Sequence, residues 1–240
     1  MPVEIHLPEG NPARGKITNG LAAGTLIERT IEFVLAEMPN WRDTPNRPAE
    51  ESEERLNAQL CKHLEVAARH SLRMVFFHHE EKQTGTRRVD LSASPTEDRF
   101  VGATFYTIYD PFLVLEGKRL PPPKNGSGRE REYVTGGEAK SGGIQRFKLG
   151  LHGAKHEIAV VIGYVQADTP AEWHGRINGW IRELEGALQT DGTQWSATDR
   201  LSDFREYNSK RIATALSKHL RSGDIICSPN IAIHHLWVRM

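Results

Sequence analysis

An acid and a base stand two positions apart at the end of an apolar segment. The apolar residues 112–115 are followed directly by Glu116, Gly117 and Lys118. A short apolar run of this kind is typical of a strand buried on both faces. Because side chains alternate between the two faces of a strand, we expect Glu116 and Lys118 to point to the same side.

A second acid interrupts an earlier apolar segment. Asp90 lies between Val89 and Leu91, and 25 residues separate it from Glu116. If the two segments are adjacent strands, Asp90, Glu116 and Lys118 meet at one edge of a sheet. Two carboxylates in a half-buried site repel each other, and a divalent cation relieves that repulsion. Mg²⁺ is held through one or two carboxylates and keeps several waters.

The lysine completes a hydrolytic set. Beside a bound metal, Lys118 could orient or help deprotonate an attacking water, and it could stabilise charge on a phosphate. An aspartate, a glutamate and a lysine around Mg²⁺ or Mn²⁺ therefore indicate hydrolysis of a phosphodiester bond.

The pattern D-(x25)-E-G-K at the end of an apolar strand resembles the PD-(D/E)xK nuclease superfamily, over about residues 50–165. The resemblance implies that Asp90 and Glu116 are metal ligands and that the Gly117 carbonyl is a further ligand. It implies that Lys118 is the catalytic lysine. The position before Asp90 is Val89 where the family motif has proline.

Members of this family often carry a glutamate on the first core helix, facing the metal. The candidates are Glu51, Glu53 and Glu54. Helical spacing predicts a buried stripe on this helix, formed by Leu56, Leu60, Leu64 and Ala67. We favour Glu53 as a catalytic residue, since it lies three positions before Leu56 and so stands over this stripe.

The family also often carries a polar residue on the helix that follows the motif strands. Gln145 occupies that place here, and Arg146 is next to it. Both are predicted to contact nucleic acid through its phosphates.

These residues need an α/β scaffold. Helical spacing predicts helices over 25–38 and from about 49 to 70, and a third begins after Thr169 with a capping pattern. The third is predicted to bury the following residues: Trp173, Ile177, Trp180, Ile181, Leu184 and Leu188. A short helix is expected within 142–152. Strands are predicted over 73–79, 86–94, 111–119 and 157–165, and another ends the chain. The Pro- and Gly-rich segment 120–143 indicates a long surface loop.

The resulting prediction is a restriction-endonuclease-like α/β core, in which helices flank a central mixed sheet. A single nuclease domain is predicted over 1–240. Its core covers about 50–190, with an N-terminal helical extension over 1–45 and a C-terminal extension over 191–240. The segments 97–110 and 211–220 fit either helix or strand.

Composition narrows the class of protein. Lys and Arg total 31 and Asp and Glu total 31, so any basic surface must be local. The two cysteines form neither a CxxC pair nor a disulfide pattern, and the first residues carry no apolar signal segment. No apolar stretch approaches the roughly 20 residues of a membrane span. We expect a soluble, cytoplasmic protein that does not enter a membrane.

The expected function is Mg²⁺-dependent endonuclease cleavage of DNA. By analogy, the chain would be the effector subunit of a bacterial anti-phage assembly, with a partner protein supplying a motor or sensor and with a possible homodimer. Two alternatives stay open: a non-catalytic scaffold with the nuclease fold that binds nucleic acid or a partner subunit, and an RNase with the same site.

One further pattern could suggest a nucleophile. Ser217 and His219 stand two positions apart in a Ser-Lys-His run, but no G-x-S-x-G-like turn accompanies them. A G-x-x-x-x-G-K-[ST] phosphate loop is also missing from the sequence. We therefore expect neither a serine hydrolase nor a nucleoside triphosphatase.

Overall fold

A computed structural model describes residues 25–83, 85–123, 129–186, 189–223 and 226–240. The first 24 residues of the expected N-terminal extension, part of the 120–143 segment and Leu188 lie outside these ranges. Within them, no helix is both long enough and apolar enough to cross a bilayer.

The structure has an α/β architecture built on one large sheet. Its helices are α1 (Thr25–Arg42), α2 (Glu53–Ser71), α3 (Gly143–Lys148) and α4 (Pro170–Leu184). The first five strands are β1 (Val75–Lys82), β2 (Arg88–Pro95), β3 (Arg99–Val101), β4 (Thr104–Tyr106) and β5 (Leu113–Leu120). The remaining strands are β6 (Ile158–Val165), β7 (Ser202–Tyr207), β8 (Ile212–Leu220) and β9 (Asn230–Arg239).

Seven strands form the central sheet in the order β1-β2-β5-β6-β9-β8-β7. The three central strands β5, β6 and β9 run parallel, and the neighbours on both sides pair antiparallel. The predicted central mixed sheet is therefore present, and β2 and β5 are adjacent as the candidate site requires. Residues beyond 190, which the sequence led us to treat as an extension, supply three of the seven strands.

Helices cover both faces of this sheet. One apolar core joins α1 and α2 to the sheet through residues such as Met38, Leu56 and Leu60. A second core on the opposite face joins α3 and α4 through Phe147 and Ile177. β5 lies between the two cores, which explains why its sequence is apolar without alternation.

Helix α1 continues past the proline at which we expected it to end. Pro39 cannot donate a backbone hydrogen bond, yet the helix runs to Arg42. Trp41 is buried, and the Arg42 guanidinium donates to the carbonyl oxygen of Lys210 at 2.9 Å. Tertiary contacts of the last turn therefore outweigh the hydrogen bond that the proline removes.

The structure decides two segments whose secondary structure the sequence left open, and it corrects two other predictions. The segment 97–110 holds the small β3–β4 hairpin, and 211–220 is strand β8. In the 120–143 segment, Tyr133 and Val134 are buried, so the described part of that segment is not only a surface loop. Helix α4 begins at the predicted Thr169 cap and buries Trp173, Ile177 and Ile181, whereas Trp180 and Leu184 are partly exposed.

Candidate active site

Asp90 lies where the pairing between β2 and β5 ends. The last paired position is Leu91 with Leu115, and the next hydrogen bond runs from the backbone N–H of Gly117 to Oδ2 of Asp90, at 2.8 Å. The aspartate side chain thus replaces a strand carbonyl as the acceptor. In an extended strand the N–H and C=O of one residue face the same neighbour, so the Gly117 carbonyl also faces the β2 side.

Glu116 and Lys118 lie on the same side of β5, as the strand alternation predicts. Nζ of Lys118 is 3.1 Å from Oε1 of Glu116. The Glu116 carboxylate is fully buried and the Lys118 side chain is only 5% exposed. A buried acid and a buried base therefore form an ion pair at the end of a core strand.

Helix α2 brings one of the three candidate glutamates into this cluster. Oε1 of Glu53 is 2.7 Å from Nζ of Lys118, and its Oε2 accepts from the backbone N–H of Arg119 at 3.1 Å. Glu51 and Glu54 are exposed. Because Glu53 is the first residue of α2, the start of this helix is attached directly to the end of β5.

Gly117 is needed because α2 approaches β5 closely. A Cβ atom at this position would stand 1.9 Å from Oδ1 of Asn57, which accepts a hydrogen bond from the Tyr164 hydroxyl at 2.7 Å. Asn57 is itself buried on α2, one turn after Glu53. The glycine between the acid and the lysine therefore sets the distance between helix and strand.

Helix α3 supplies a cation to the same carboxylate. Nη1 of Arg146 is 2.5 Å from Oε1 of Glu116. His152, in the turn after α3, places Nδ1 3.0 Å from Oε2 of Glu116, but the two atoms are not aligned for a hydrogen bond. The sequence did not lead us to His152, because a histidine four residues after a short helix carries no motif.

Gln145 has a different environment from its neighbour. Its side chain is fully buried, accepts from the backbone N–H groups of Gly136 and Gly142 and donates to the Gly137 carbonyl and to Asp191. In this structure Gln145 closes the segment before α3 onto the helix, and its amide is fully engaged with protein groups.

Burial and neighbouring charges shift the pKa values of Asp90 and Glu116 in opposite directions. Burial, and next the negative charge of Glu116, raise the pKa of Asp90 to about 8. Burial alone would also raise the pKa of Glu116, but Lys118, His152 and Arg146 outweigh it and hold that pKa below its usual range. Burial opposes the charged form of Lys118, yet the nearby carboxylates raise its pKa. The favoured state is an ionised Glu116–Lys118 pair beside a readily protonated Asp90.

The carboxylate and carbonyl oxygens of the candidate site are of the type that Mg²⁺ and Mn²⁺ bind. Among the described residues, no group of three or more His, Cys, Asp and Glu side chains is arranged to hold a metal ion. Mg²⁺, however, needs only one or two carboxylates and completes its shell with water. Oε2 of Glu116 is buried without a hydrogen bond, and burial together with the negative charge of Glu116 opposes ionisation of Asp90, which a bound cation would favour.

A second polar cluster is buried behind α3. Oδ1 of Asp199 lies 2.5 Å from Nζ of Lys148 and 2.5 Å from Nδ1 of His219, and Nε2 of His219 is 2.6 Å from Oγ of Ser217. This order resembles a Ser-His-Asp set. All four side chains are buried, however, so Ser217 cannot be reached by a substrate.

The chain of hydrogen bonds continues from Ser217 to a tryptophan. Oγ of Ser217 is 2.7 Å from Nε2 of His235, whose Nδ1 is 2.8 Å from the Tyr133 hydroxyl, which in turn accepts from Nε1 of Trp237. The Trp237 N–H can only donate and the Asp199 carboxylate can only accept. Each group between them therefore accepts a hydrogen bond from the Trp237 side and donates one toward Asp199. Both histidines are then neutral, and the cluster is structural.

Comparisons with protein-family models, with curated proteins and with solved structures find no match to this chain, so the family resemblance rests on the residues themselves.

Proposed function

We propose that this chain is a metal-dependent nuclease with a restriction-endonuclease-like core, which hydrolyses phosphodiester bonds of DNA. One observation carries the proposal: four charged side chains lie together where the pairing of β2 with β5 ends. They are Asp90, Glu116, Lys118 and Glu53. A scaffold needs no buried acid and base at the end of a core strand, because burying such charges opposes stability.

Each residue has a distinct part in this proposal. Asp90 and Glu116, with the Gly117 carbonyl, would hold Mg²⁺ or Mn²⁺, which supplies Lewis acidity and a more acidic bound water. Lys118 is favoured in its ammonium form, so it donates hydrogen bonds to a phosphate oxygen or to the attacking water. Glu53 fixes the direction of the Lys118 side chain.

The first test compares cleavage of supercoiled and linear DNA with Mg²⁺ or Mn²⁺. We expect Asp90→Ala and Lys118→Ala each to lower the cleavage rate by about a hundredfold or more. Lys155→Ala, at an exposed lysine, is the matched control and should leave the rate unchanged. The same assay with RNA distinguishes the RNase alternative.

Calorimetry decides the case in which no cleavage is seen. The proposal predicts Mn²⁺ binding by the wild type and its loss in Asp90→Ala. A wild type that bound no Mn²⁺, or a variant that bound it equally well, would support the non-catalytic scaffold instead. A partner protein with motor or sensor function, and a role in anti-phage defence, stay predictions.

A second comparison tests the glutamate on α2. Glu53→Gln removes a charge that holds Lys118, and we expect a roughly tenfold or larger loss of cleavage with a folded protein. Glu54→Gln, at the next and exposed position, is the control. Equal cleavage rates in the two variants would show that Glu53 has no role in cleavage.

A further inference from the structure

One carboxylate oxygen of Glu116 receives two cationic side chains. Nη1 of Arg146 lies 2.5 Å and Nζ of Lys118 lies 3.1 Å from Oε1. His152 faces the other oxygen. Under the proposed function Glu116 is also a metal ligand, so Arg146 and a divalent cation would compete for the same buried acid.

The groups around Glu116 differ in how firmly they are held. Lys118 is 5% exposed and is also bound by Glu53, and the His152 side chain is 1% exposed. The Arg146 side chain is 22% exposed, and its buried Nε makes no hydrogen bond. Of these three groups, Arg146 is the most exposed, so its guanidinium can turn outward while Lys118 stays paired with Glu116.

We propose that Arg146 is an exchangeable cation: it neutralises Glu116 until a divalent cation takes that role, and it then binds a phosphate group of the nucleic acid. This inference rests on the proposed function and adds an order of binding to it. Two cations on one carboxylate oxygen repel each other, so metal entry favours the outward position of the guanidinium. A guanidinium freed next to the metal suits a phosphate, which it can bind in a bidentate manner.

The proposal has a consequence that a simple structural role does not have. If Arg146 competes with the metal, its removal strengthens metal binding while it weakens nucleic-acid binding. If Arg146 only supports Glu116, its removal weakens both. Linkage further requires that metal and nucleic acid strengthen each other's binding in the wild type and that this coupling shrinks without Arg146.

The experiment measures both affinities. Mn²⁺ binding is followed by calorimetry, and binding of a fluorescein-labelled DNA duplex is followed by anisotropy with Ca²⁺ in place of Mg²⁺. For Arg146→Ala we expect Mn²⁺ to bind about three- to tenfold more tightly and the duplex about tenfold more weakly. Arg176→Ala, at an exposed arginine of α4 whose side chain pairs with Asp168, should change neither affinity.

A second variant guards against misfolding. Arg146→Gln keeps most of the side-chain length without the charge, and it should show the same opposite changes if its melting curve matches the wild type. Unchanged or weaker Mn²⁺ binding in a folded Arg146 variant would overturn the exchange while leaving the nuclease proposal intact. A wild type that binds no Mn²⁺ would overturn both.

Discussion

Burial of Asp90 sets its proposed role as a metal ligand against the stability of the fold. A carboxyl whose pKa is raised to about 8 prefers to be neutral in the folded protein, whereas it is ionised above about pH 4 in the unfolded chain. Its stabilising effect is therefore complete in acid and is lost as the pH rises from about 4 to 8. Such a cost is common where a residue serves function.

We predict that Asp90→Asn stabilises the protein in the absence of divalent cations, and does so more strongly at higher pH. The amide keeps an acceptor for the Gly117 N–H and cannot ionise. The gain should grow by about 1 kcal/mol per pH unit between pH 5 and 7. Urea unfolding at pH 5, 6 and 7 measures it, with exposed Glu54→Gln as control. A gain that did not depend on pH would show that Asp90 is not raised in pKa.

Gly117 permits a prediction about packing at a single atom. Gly117→Ala would place Cβ against Asn57, so α2 or the asparagine must shift, and we expect a loss of about 1–3 kcal/mol in unfolding free energy. Gly175→Ala is the matched control, because it meets no atom within 4 Å in the interior of α4. That control should stabilise by about 0.5–1 kcal/mol. Equal effects would disprove the close approach.

At the scale of elements, the buried hydrogen-bond chain joins β8 and β9 to the segment that leads into α3. The backbone N–H of Ile144, in α3, donates to the carbonyl oxygen of Tyr133, whose hydroxyl links His235 to Trp237 at one end of the chain. Lys148 joins the other end from the last residue of α3. The helix that carries Arg146 is therefore fixed from both its ends by groups outside the candidate site.

We predict that Ser217→Ala destabilises the protein by about 2 kcal/mol. The substitution leaves Nε2 of His219 without a donor and the N–H of His235 without an acceptor, and both are buried. Thermal unfolding measures the loss. Ser209→Ala, at an exposed turn position, should change stability by less than about 0.5 kcal/mol. Specific loss of cleavage without loss of stability would instead indicate a chemical role for Ser217.

At the scale of the whole molecule, buried neutral histidines set the response to acid. Burial lowers the pKa of His219 and holds that of His235 well below its usual value of 6.5. The unfolded chain therefore binds more protons than the folded protein as the pH falls below about 6.5. Their contribution to stability is present above that pH and is lost on acidification.

We predict that unfolding free energy falls between pH 7 and pH 5, by up to about 1 kcal/mol per pH unit for each histidine. The measurement is made on Asp90→Asn, because Asp90 contributes with the opposite sign in this range. Adding His235→Asn should reduce the slope, whereas Gly175→Ala, which removes no titratable group, should not. A slope that is independent of His235 would contradict this assignment.

The sequence by itself was sufficient for the elements whose residues follow a strong local pattern. Burial selects apolar residues along a whole element, and this produces the helical spacing of α4 and the apolar run before Glu116. Against such a pattern, a charged residue such as Asp90 is easy to recognise. The same-side position of Glu116 and Lys118 follows from strand geometry alone. The choice of Glu53 also follows from helix geometry, because it precedes a buried stripe by three residues.

Tertiary structure decided what local pattern cannot carry. Helix α1 passes Pro39 because of contacts with residues more than a hundred positions away, and segment 211–220 became a strand because β9 lies beside it. Gln145 turned inward and Arg146 toward Glu116 although they are neighbours, because a helix points adjacent side chains in different directions. His152 belongs to the cluster because packing brings it next to Glu116, which is distant from it in sequence.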